Sequence, residues 1–368
     1  MKKVVIAPDS FKGTLSSAEV CGIVKDVLIK KFGNIEVVEI PIADGGEGMT
    51  DSFLYAFPGS EKIYMTAKSP LGRDIEVYYG IIEGDTAVIE MAAASGITIE
   101  EKNDALRAST YGTGEMIKHA LDKGIRKFVI GIGGSATTDG GIGCTGALGG
   151  IFLDSDGKEV SLCGEGLVSI DSIDLSGLDS RIKECEITVL CDVKNPLYGK
   201  NGAAYIYGPQ KGANPNMVLF LDSGLLNLAK KSQEYLKKDF SQHEGAGAAG
   251  GLGFALVAFF GAELKRGIEA ILDITHFEEK TKGADLVITG EGKMDEQSLM
   301  GKVPFGIASR SKGEKTIAIV GLNMADMNKV RASGISEVIE TNPEHLPFDE
   351  IKANAKEDLA LAVEKIIL

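Results

Sequence analysis

The sequence lacks the features that define several large classes of protein. It contains no stretch of about 18 apolar residues that could span a bilayer. The apolar run within its first ten residues, MKKVVIAPDS, is too short for the core of a signal peptide. Positive charge is scarce, since 39 Lys and Arg residues face 53 Asp and Glu residues and the formal net charge is −14. This charge argues against a general binder of nucleic acid or of anionic membranes, both of which need a basic surface.

Cysteine and histidine are also few, with five and four residues among 368. The cysteines form no CxxC pair and show no metal-like spacing with the histidines, so we expect free thiols in a reducing cytoplasm. No histidine has a well-spaced nucleophile or metal partner, and we interpret all four as structural or surface residues. The motif GxxxxGK[ST] is missing as well, which excludes a P-loop NTPase.

Glycine, by contrast, is abundant, with 47 residues that cluster at 45–48, 131–150 and 245–253. Clustered glycine between apolar runs indicates tight loops in which the backbone comes close to another group, often a ligand.

Short apolar strands alternate with helices at both ends of the chain. KVVIAP precedes a helix that Ser16 and Glu19 start as a capping box and Gly33 ends, and ADLVITGEG and TIAIVG continue the pattern near the C-terminus. Val- and Ile-rich strands that alternate with helices predict a parallel sheet covered on both faces.

The middle of the chain has a different pattern, with a hairpin turn at 83–85 and a long helix from about residue 216 to 238. We therefore predict an α/β protein. A Rossmann-like, doubly wound parallel-sheet domain comprises 1–75 together with 258–368, and an inserted mixed α/β domain comprises 76–257. We expect the active site in the interdomain cleft.

The stretch GIGGSATTDGG, residues 131–141, fits the relaxed dinucleotide fingerprint poorly, because TTDGG stands where the first turn of a packed helix is needed. We expect that helix to begin near Ile142. The glycines and hydroxyls suit phosphate oxygens, and Asp139 could add a carboxylate for Mg²⁺. The alternative is a glycine-rich turn that packing alone requires. The candidate phosphate ligands here are Gly133, Gly134, Ser135 and Thr137.

The second glycine stretch, 245–253, follows no strand and so lacks the Rossmann context. Gly250 and Gly251 could form a helix N-terminus that binds phosphate through free N–H groups. Close packing through small residues explains the same glycines equally well.

Three loops that mix carboxylates with polar or basic groups follow predicted parallel strands, where α/β folds place their ligands. A single loop of this kind is most often only a solvated polar loop. Three at one sheet edge supply the groups needed for phosphoryl transfer to a small anionic acceptor. Their residues are Asp9, Ser10 and Lys12; Asp44 and Glu47; and Glu291, Lys293, Asp295 and Gln297, with Lys302 beyond.

Two further residues have both a functional and a structural interpretation. Asp192 ends a strand-like run and could be a general base or metal ligand, or could cap the following turn. Arg73, in PLGR, could bind a carboxylate or complete a turn.

Several longer blocks resemble the bacterial glycerate kinase type I family, in that family's order and over nearly the whole chain. They are APDSFKGTLSS, PIADGGEG, GIGGSATTDGG, CDVKNPLYGKNGAA, YGPQKGA and ITGEGKMDEQSLMGKVPFGIA. The resemblance implies ATP-dependent phosphorylation of D-glycerate, commonly at the 2-hydroxyl. It also implies two α/β domains, one of them Rossmann-like.

Chemistry, rather than the resemblance, suggests the individual roles. Asp192 or Asp44 would accept the hydroxyl proton, and Lys12 and Lys293 would assist catalysis by offsetting phosphate charge. The substrate-binding candidates are Ser10, Arg73, Glu47, Lys302 and Gln297, and the candidate ligands of Mg²⁺ are Asp9, Glu291, Asp295 and Asp139.

Alternatives stay open at this point. The product could be 3-phosphoglycerate instead of 2-phosphoglycerate. The enzyme alternative is a NAD-dependent dehydrogenase of small hydroxy acids, and the non-enzyme alternative is a glycerate-sensing regulator. We expect a cytoplasmic protein with ATP and D-glycerate as its partners, and a homodimer is one option for its assembly.

Overall fold

A computed structural model describes residues 2–43, 46, 48–296, 298–300, 302–342 and 346–366. By their contacts the residues form two compact units. One comprises Met1–Asp44, Asp51–Pro58 and Gly267–Leu368, and the other Gly45–Thr50 and Gly59–Arg266. The domains predicted from the sequence, 1–75 with 258–368 and 76–257, have other boundaries and stay a prediction.

Strands and helices alternate along most of the described chain. The strands are β1 (Lys3–Pro8), β2 (Glu36–Glu39), β3 (Glu61–Lys68), β4 (Asp74–Ile82), β5 (Thr86–Glu90), β6 (Lys127–Gly131), β7 (Ile151–Leu153), β8 (Ser172–Asp174), β9 (Glu186–Leu190), β10 (Glu263–Lys265), β11 (Leu286–Met294), β12 (Thr316–Asn323) and β13 (Ile335–Glu340). The helices are α1 (Ser17–Phe32), α2 (Met49–Ala56), α3 (Ala92–Ser95), α4 (Tyr111–Asp122), α5 (Ile142–Ala147), α6 (Ala203–Tyr207), α7 (Pro215–Leu236), α8 (Leu252–Phe260), α9 (Gly267–Ile274), α10 (Phe277–Thr281), α11 (Val303–Arg310), α12 (Met327–Ala332) and α13 (Phe348–Glu364).

The first unit is built on a five-stranded sheet with the order β13-β12-β11-β1-β2, and all of its strands are parallel. Alternate residues of β12 face opposite sides. Ile317 and Ile319 join a core with α1 and α13, whereas Ala318 and Val320 join another with residues of α11 and α12. The prediction of a doubly wound parallel sheet covered on both faces is therefore confirmed.

The predicted limits of α1 are confirmed by its cap contacts. The Ser16 side chain accepts a hydrogen bond from the Glu19 N–H at 3.2 Å, and the Glu19 carboxylate accepts one from the Ser16 N–H at 3.0 Å. Gly33 ends the helix with φ 74°, a conformation that glycine adopts at little cost.

The second unit contains a mixed six-stranded sheet with the order β10-β9-β6-β5-β4-β3. The pairs from β5 to β10 are parallel, and β3 and β4 add an antiparallel edge. The predicted turn joins β4 to β5, with φ 52° at Glu83 and φ 77° at Gly84. The long helix predicted at 216–238 is α7, which Asn214 caps.

Among the described residues, no helix combines the length and the apolar character needed to cross a membrane. The five cysteines are free thiols.

Candidate active site

The sheet of the first unit has a topological switch point between β1 and β11. The chain runs from β1 outward to β2 and later fills the other side of β1 with β11, β12 and β13. In open α/β sheets, ligands bind beyond the carboxyl ends of the strands at this point. Pro8 and Gly290 are register partners, so the next residues, Asp9 and Glu291, lie beside each other there.

Glu291 is a buried carboxyl group with an unused oxygen. Its residue is 6% exposed, and its Oε1 atom has no hydrogen-bond partner among the described residues. The pKa of Glu291 is raised to about 7, mainly by burial and also by the nearby charges of Asp9 and Asp295, against the lowering effects of Ser298 and Lys302. A buried oxygen without a partner is free to bind a cation or a proton.

The loop after β1 is held against β11 by backbone contacts. The Asp9 N–H donates to the Gly290 carbonyl at 2.9 Å, and the Ser10 N–H donates to the Asp9 carboxylate at 2.7 Å. A Cβ added at Gly292 would lie 3.3 Å from the backbone nitrogen of Lys12. The absence of a side chain at Gly292 therefore lets the Lys12 backbone lie close to β11. The Lys12 side chain is exposed.

The predicted residues at the end of β11 lie near one another. Lys293 and Asp295 form an ion pair with an N–O distance of 3.5 Å, and the Asp295 N–H donates to the Ser298 hydroxyl at 3.1 Å. Lys302 is exposed at the N-terminus of α11. The predicted residues Asp44, Glu47 and Gln297 lie outside the described residues.

The described part of the chain contains no group of three or more His, Cys, Asp or Glu residues arranged to hold a metal ion. Mg²⁺ in phosphoryl-transfer enzymes is usually bound through one or two carboxylates together with phosphate oxygens of the substrate. Asp9 and Glu291 fit that requirement, since the pair lies at the switch point and one Glu291 oxygen is unused.

In the second unit, the stretch 131–141 follows β6 as predicted, and α5 begins at Ile142. Backbone groups of this loop pair with 95–97: the Ile97 N–H donates to the Gly134 carbonyl and the Ala136 N–H donates to the Ser95 carbonyl, each at 2.9 Å. The N–H groups of Gly133 and Gly134 donate no hydrogen bond to any described residue. Gly134 is exposed and has φ 71°. These two N–H groups are therefore available to an anion.

Asp139 lies inside the unit and not at a surface that could receive a metal ion. It is 0% exposed, and its carboxylate accepts hydrogen bonds from the Thr110 N–H and hydroxyl at 2.8 and 2.7 Å and from the N–H groups of Gly141 and Gly143 at 3.1 and 3.3 Å. Burial raises its pKa. These four donors fill the hydrogen-bond acceptor capacity of the carboxylate, which favours a structural role over the predicted metal ligation.

The second glycine stretch packs directly on the first. The Gly140 N–H donates to the Gly250 carbonyl at 2.9 Å, and a Cβ added at Gly250 would lie 1.9 Å from the Thr137 carbonyl oxygen. A Cβ at Gly251 would lie 2.6 Å from the Gly140 Cα atom. These contacts favour close backbone packing, the alternative interpretation, over phosphate binding by Gly250 and Gly251, and Thr137 is wholly buried.

Arg73 and Asp192 occupy different environments. The Arg73 guanidinium forms an ion pair with Glu100 at 2.7 Å, and its backbone carbonyl accepts a hydrogen bond from Ser69 at 2.7 Å, which favours the role of completing the turn between β3 and β4. Asp192 is exposed just beyond β9, at the same sheet edge as the end of β6. This location is compatible with a general base.

One residue of the second unit was not predicted. Lys211 is 1% exposed, and its ammonium group donates to the Ser135 hydroxyl at 2.7 Å and to the Thr137 carbonyl at 2.6 Å. The block YGPQKGA, which carries part of the family resemblance, was the signal that could have identified it.

Comparison with known proteins is consistent across sequence and structure. Residues 4–368 match the model of the glycerate kinase family. The chain is 43% identical to glycerate 2-kinase of Escherichia coli K12, over 99% of this chain and 97% of that protein. It is 42% identical to glycerate kinase of Bacillus subtilis 168, over 96% and 94% of the two chains. A crystal structure from Salmonella typhimurium LT2, provisionally named glycerate kinase 2, is 40% identical and superposes with a TM-score of 0.88 over 98% of this chain and 96% of that one.

Proposed function

This chain belongs to the glycerate kinase family and is a phosphotransferase, and from that premise we propose that it transfers the γ-phosphoryl group of ATP to D-glycerate to form 2-phosphoglycerate. The observation that carries the proposal is the pair of carboxylates, Asp9 and Glu291, at the switch point of a parallel sheet, with lysines in the adjoining loops. The 2-position is supported by the name of the relative from Escherichia coli.

In the first unit, Asp9 and Glu291 would hold the Mg²⁺ that accompanies ATP. The ion would supply positive charge to the phosphate oxygens when bound. Asp295 orients Lys293 through their ion pair. It is also a second carboxylate near the end of β11, after Glu291. Lys12, Lys293 and Lys302 would offset the charge of phosphate and of the glycerate carboxylate, and the Ser10 hydroxyl would hydrogen-bond the substrate.

In the second unit, Asp192 would accept the proton of the glycerate hydroxyl. As that proton leaves, the hydroxyl oxygen forms a bond to the γ-phosphorus, and the bond to the oxygen bridging the β- and γ-phosphates breaks to release ADP. The N–H groups of Gly133 and Gly134 would bind an anionic oxygen, either of a phosphate or of the glycerate carboxylate. Asp44 is the other candidate base.

Incubation of the purified protein with D-glycerate and either ATP and Mg²⁺ or NAD⁺ tests the reaction class. We expect glycerate-dependent release of ADP and no absorbance from NADH. NADH formation without ADP would support the dehydrogenase instead, and glycerate-dependent binding of DNA without turnover would support a regulator.

The position of phosphorylation is tested on the product. The ¹³C NMR spectrum of the phosphorylated product should show splitting by phosphorus at all three carbons, because carbons 1 and 3 of 2-phosphoglycerate each lie three bonds from phosphorus. Loss of the splitting at carbon 1, which lies four bonds from phosphorus in 3-phosphoglycerate, would contradict the proposed position.

We also propose a cytoplasmic location, which the five free thiols support, because such thiols persist in a reducing compartment. The assembly as a homodimer is an expectation that sedimentation velocity can test, with a single species of twice the 38.9 kDa chain mass as the expected result.

A further inference from the structure

Lys211 is a charged side chain enclosed by the second unit. It lies at the end of a 3₁₀ turn, Pro209–Lys211, and is among the largest side chains of the protein that are wholly buried. Gly212 follows with φ 91°, and a Cβ there would lie 2.9 Å from the Asn103 carbonyl oxygen. The backbone beside Lys211 is therefore held on a neighbouring loop, and the side chain is directed inward.

Among the described residues, the ammonium group donates hydrogen bonds only to the loop after β6. Its two hydrogen bonds, at 2.7 and 2.6 Å, reach the hydroxyl of Ser135 and the carbonyl of Thr137. An ammonium group has three N–H donors, so these two acceptors leave one unused among the described residues.

No carboxylate compensates this charge directly. Lys211 forms no ion pair within 4.0 Å in the described part of the chain, and the carboxylate of Asp139, which acts on it electrostatically, already accepts hydrogen bonds from Thr110, Gly141 and Gly143. Burial lowers the pKa of Lys211 to about 7, and Asp139, the charged group that acts on it, opposes that shift. A buried cation without an ion pair is costly, and a leucine or methionine would fill the same space at lower cost.

The loop that Lys211 contacts carries the two free N–H groups of Gly133 and Gly134 immediately before Ser135. The loop thus has hydrogen-bond donors on its exposed side and a cation on its buried side. We propose that Lys211 is a positioning residue that acts through Ser135 and Thr137 to make this loop bind an anionic oxygen group of a substrate, and that the bound anion favours the protonated lysine. This inference rests on the proposed kinase function and deepens it.

The anion is either a phosphate of ATP or the carboxylate of glycerate, because both present the same acceptor oxygens. Steady-state kinetics with each substrate varied in turn separates the two sources. A rise in KM for ATP alone assigns the loop to phosphate, and a rise in KM for glycerate alone assigns it to the carboxylate.

The decisive variant is Lys211→Met, which keeps an unbranched side chain that is shorter by one heavy atom and removes the charge. We expect KM for one of the two substrates to rise about tenfold or more, as for loss of an interaction with a charged group. Lys231→Met is the matched control, because Lys231 forms a partly exposed ion pair with Asp171 on the same unit, and both KM values should stay unchanged.

The pH profile separates this role from a purely structural one. With wild type, KM for the affected substrate should rise as the pH increases above about 7, by up to about tenfold per pH unit, because Lys211 loses its proton and no longer positions the loop that binds the anion. With Lys211→Met, KM should be high at all pH values and lack that rise. Measurements above about pH 7 avoid the titration of ATP itself, whose phosphate ionises near pH 6.

Two results for Lys211→Met would each overturn the inference: unchanged KM values, or a rise that keeps the wild-type pH dependence. Ser135→Ala provides a second variant should Lys211→Met not fold, since it retains the ammonium group and removes one of its acceptors. We expect a smaller rise in the same KM, and no rise would also contradict the inference. Absence of ADP formation by wild type would instead reject the proposed function.

Discussion

Three buried ionisable residues, Glu291, Asp139 and Lys211, have properties that come from their surroundings. Burial raises the pKa of the two carboxyl groups and lowers that of the lysine, because it disfavours the charged form in each case. They differ in their bonding. The Asp139 carboxylate accepts four hydrogen bonds, which favours a structural role, whereas Glu291 keeps an oxygen and Lys211 an N–H without a partner among the described residues.

The charge of Glu291 should destabilise the fold at neutral and higher pH. The carboxyl pKa is 4.5 in its ordinary state and about 7 in the folded protein, so the folded state holds its proton over that interval and the unfolded chain does not. The stability that this group contributes is complete below pH 4.5 and is lost as pH rises through 7. Glu291→Gln, which is neutral throughout, should therefore be more stable than wild type at pH 8 by about 1–3 kcal/mol and equal to it near pH 4.

Urea denaturation at the two pH values measures this difference. The same variant should lose most of its turnover, because it lacks the anionic oxygen for Mg²⁺. A variant less stable than wild type at pH 8 would show that the Glu291 charge has a partner outside the described residues.

Asp192→Asn should lower kcat by about 10²–10⁴-fold, the usual contribution of a general base. The thermal midpoint should change little, because the Asp192 side chain is exposed. Glu244→Gln is the control, since Glu244 forms an exposed ion pair with Lys194, two residues after Asp192. Turnover of Asp192→Asn within a few-fold of wild type would exclude Asp192 as the base and leave Asp44 as the candidate.

At the scale of elements, the two glycine stretches are mainly a packing device. The stretch 245–253 approaches residues 137–140 so closely that side chains would collide there, whereas Gly133 and Gly134, earlier in the first stretch, have N–H groups without a partner among the described residues. Glycine content alone left both ligand binding and close packing open for each stretch, because the same lack of a Cβ permits close approach by a ligand or by another segment of backbone.

Gly250→Ala should be destabilising by about 2–4 kcal/mol, since the new Cβ would lie 1.9 Å from the Thr137 carbonyl oxygen and the residue has φ 66°. Gly157→Ala is the matched control, with φ 75° and no atom within 4 Å of the new Cβ, and should lose only about 1 kcal/mol from its backbone conformation. Chemical denaturation measures both. Equal losses would show that contact between the two stretches contributes nothing.

At the scale of the whole molecule, an acidic protein binds two anionic substrates. The formal charge of −14 repels them at long range, so we propose that lysines, backbone N–H groups and Mg²⁺ bound with ATP supply local positive charge. Within each unit, the residues proposed for this purpose lie at or beyond the carboxyl ends of parallel strands.

Removal of Mg²⁺ should therefore stop turnover at once. An excess of EDTA in the assay is expected to abolish ADP formation, and Mg²⁺ added beyond the chelator should restore it fully, because the ion enters with ATP. Calorimetry should show that glycerate binding to the ATP-free protein is unaffected by EDTA. Full turnover in EDTA would contradict the proposed role of Asp9 and Glu291.

Local features of the chain were predictable from the sequence because their causes are local. The strand β1, the capping box of α1, the turn at Glu83 and the start of α5 each depend on residues within a few positions. Apolar periodicity and cap residues carry that information directly, and the candidate loops at the strand ends followed from it.

The tertiary structure alone decided which polar residues lie close together and which groups surround them. Asp9 and Glu291 lie together because β1 pairs with β11, strands whose hydrogen-bonded residues Ala7 and Thr289 are 282 positions apart in the chain. Distant segments also bury Lys211 against Ser135 and supply hydrogen-bond donors to the Asp139 carboxylate. A polar residue in a motif can bind a ligand or satisfy the interior, and only its three-dimensional partners distinguish these roles.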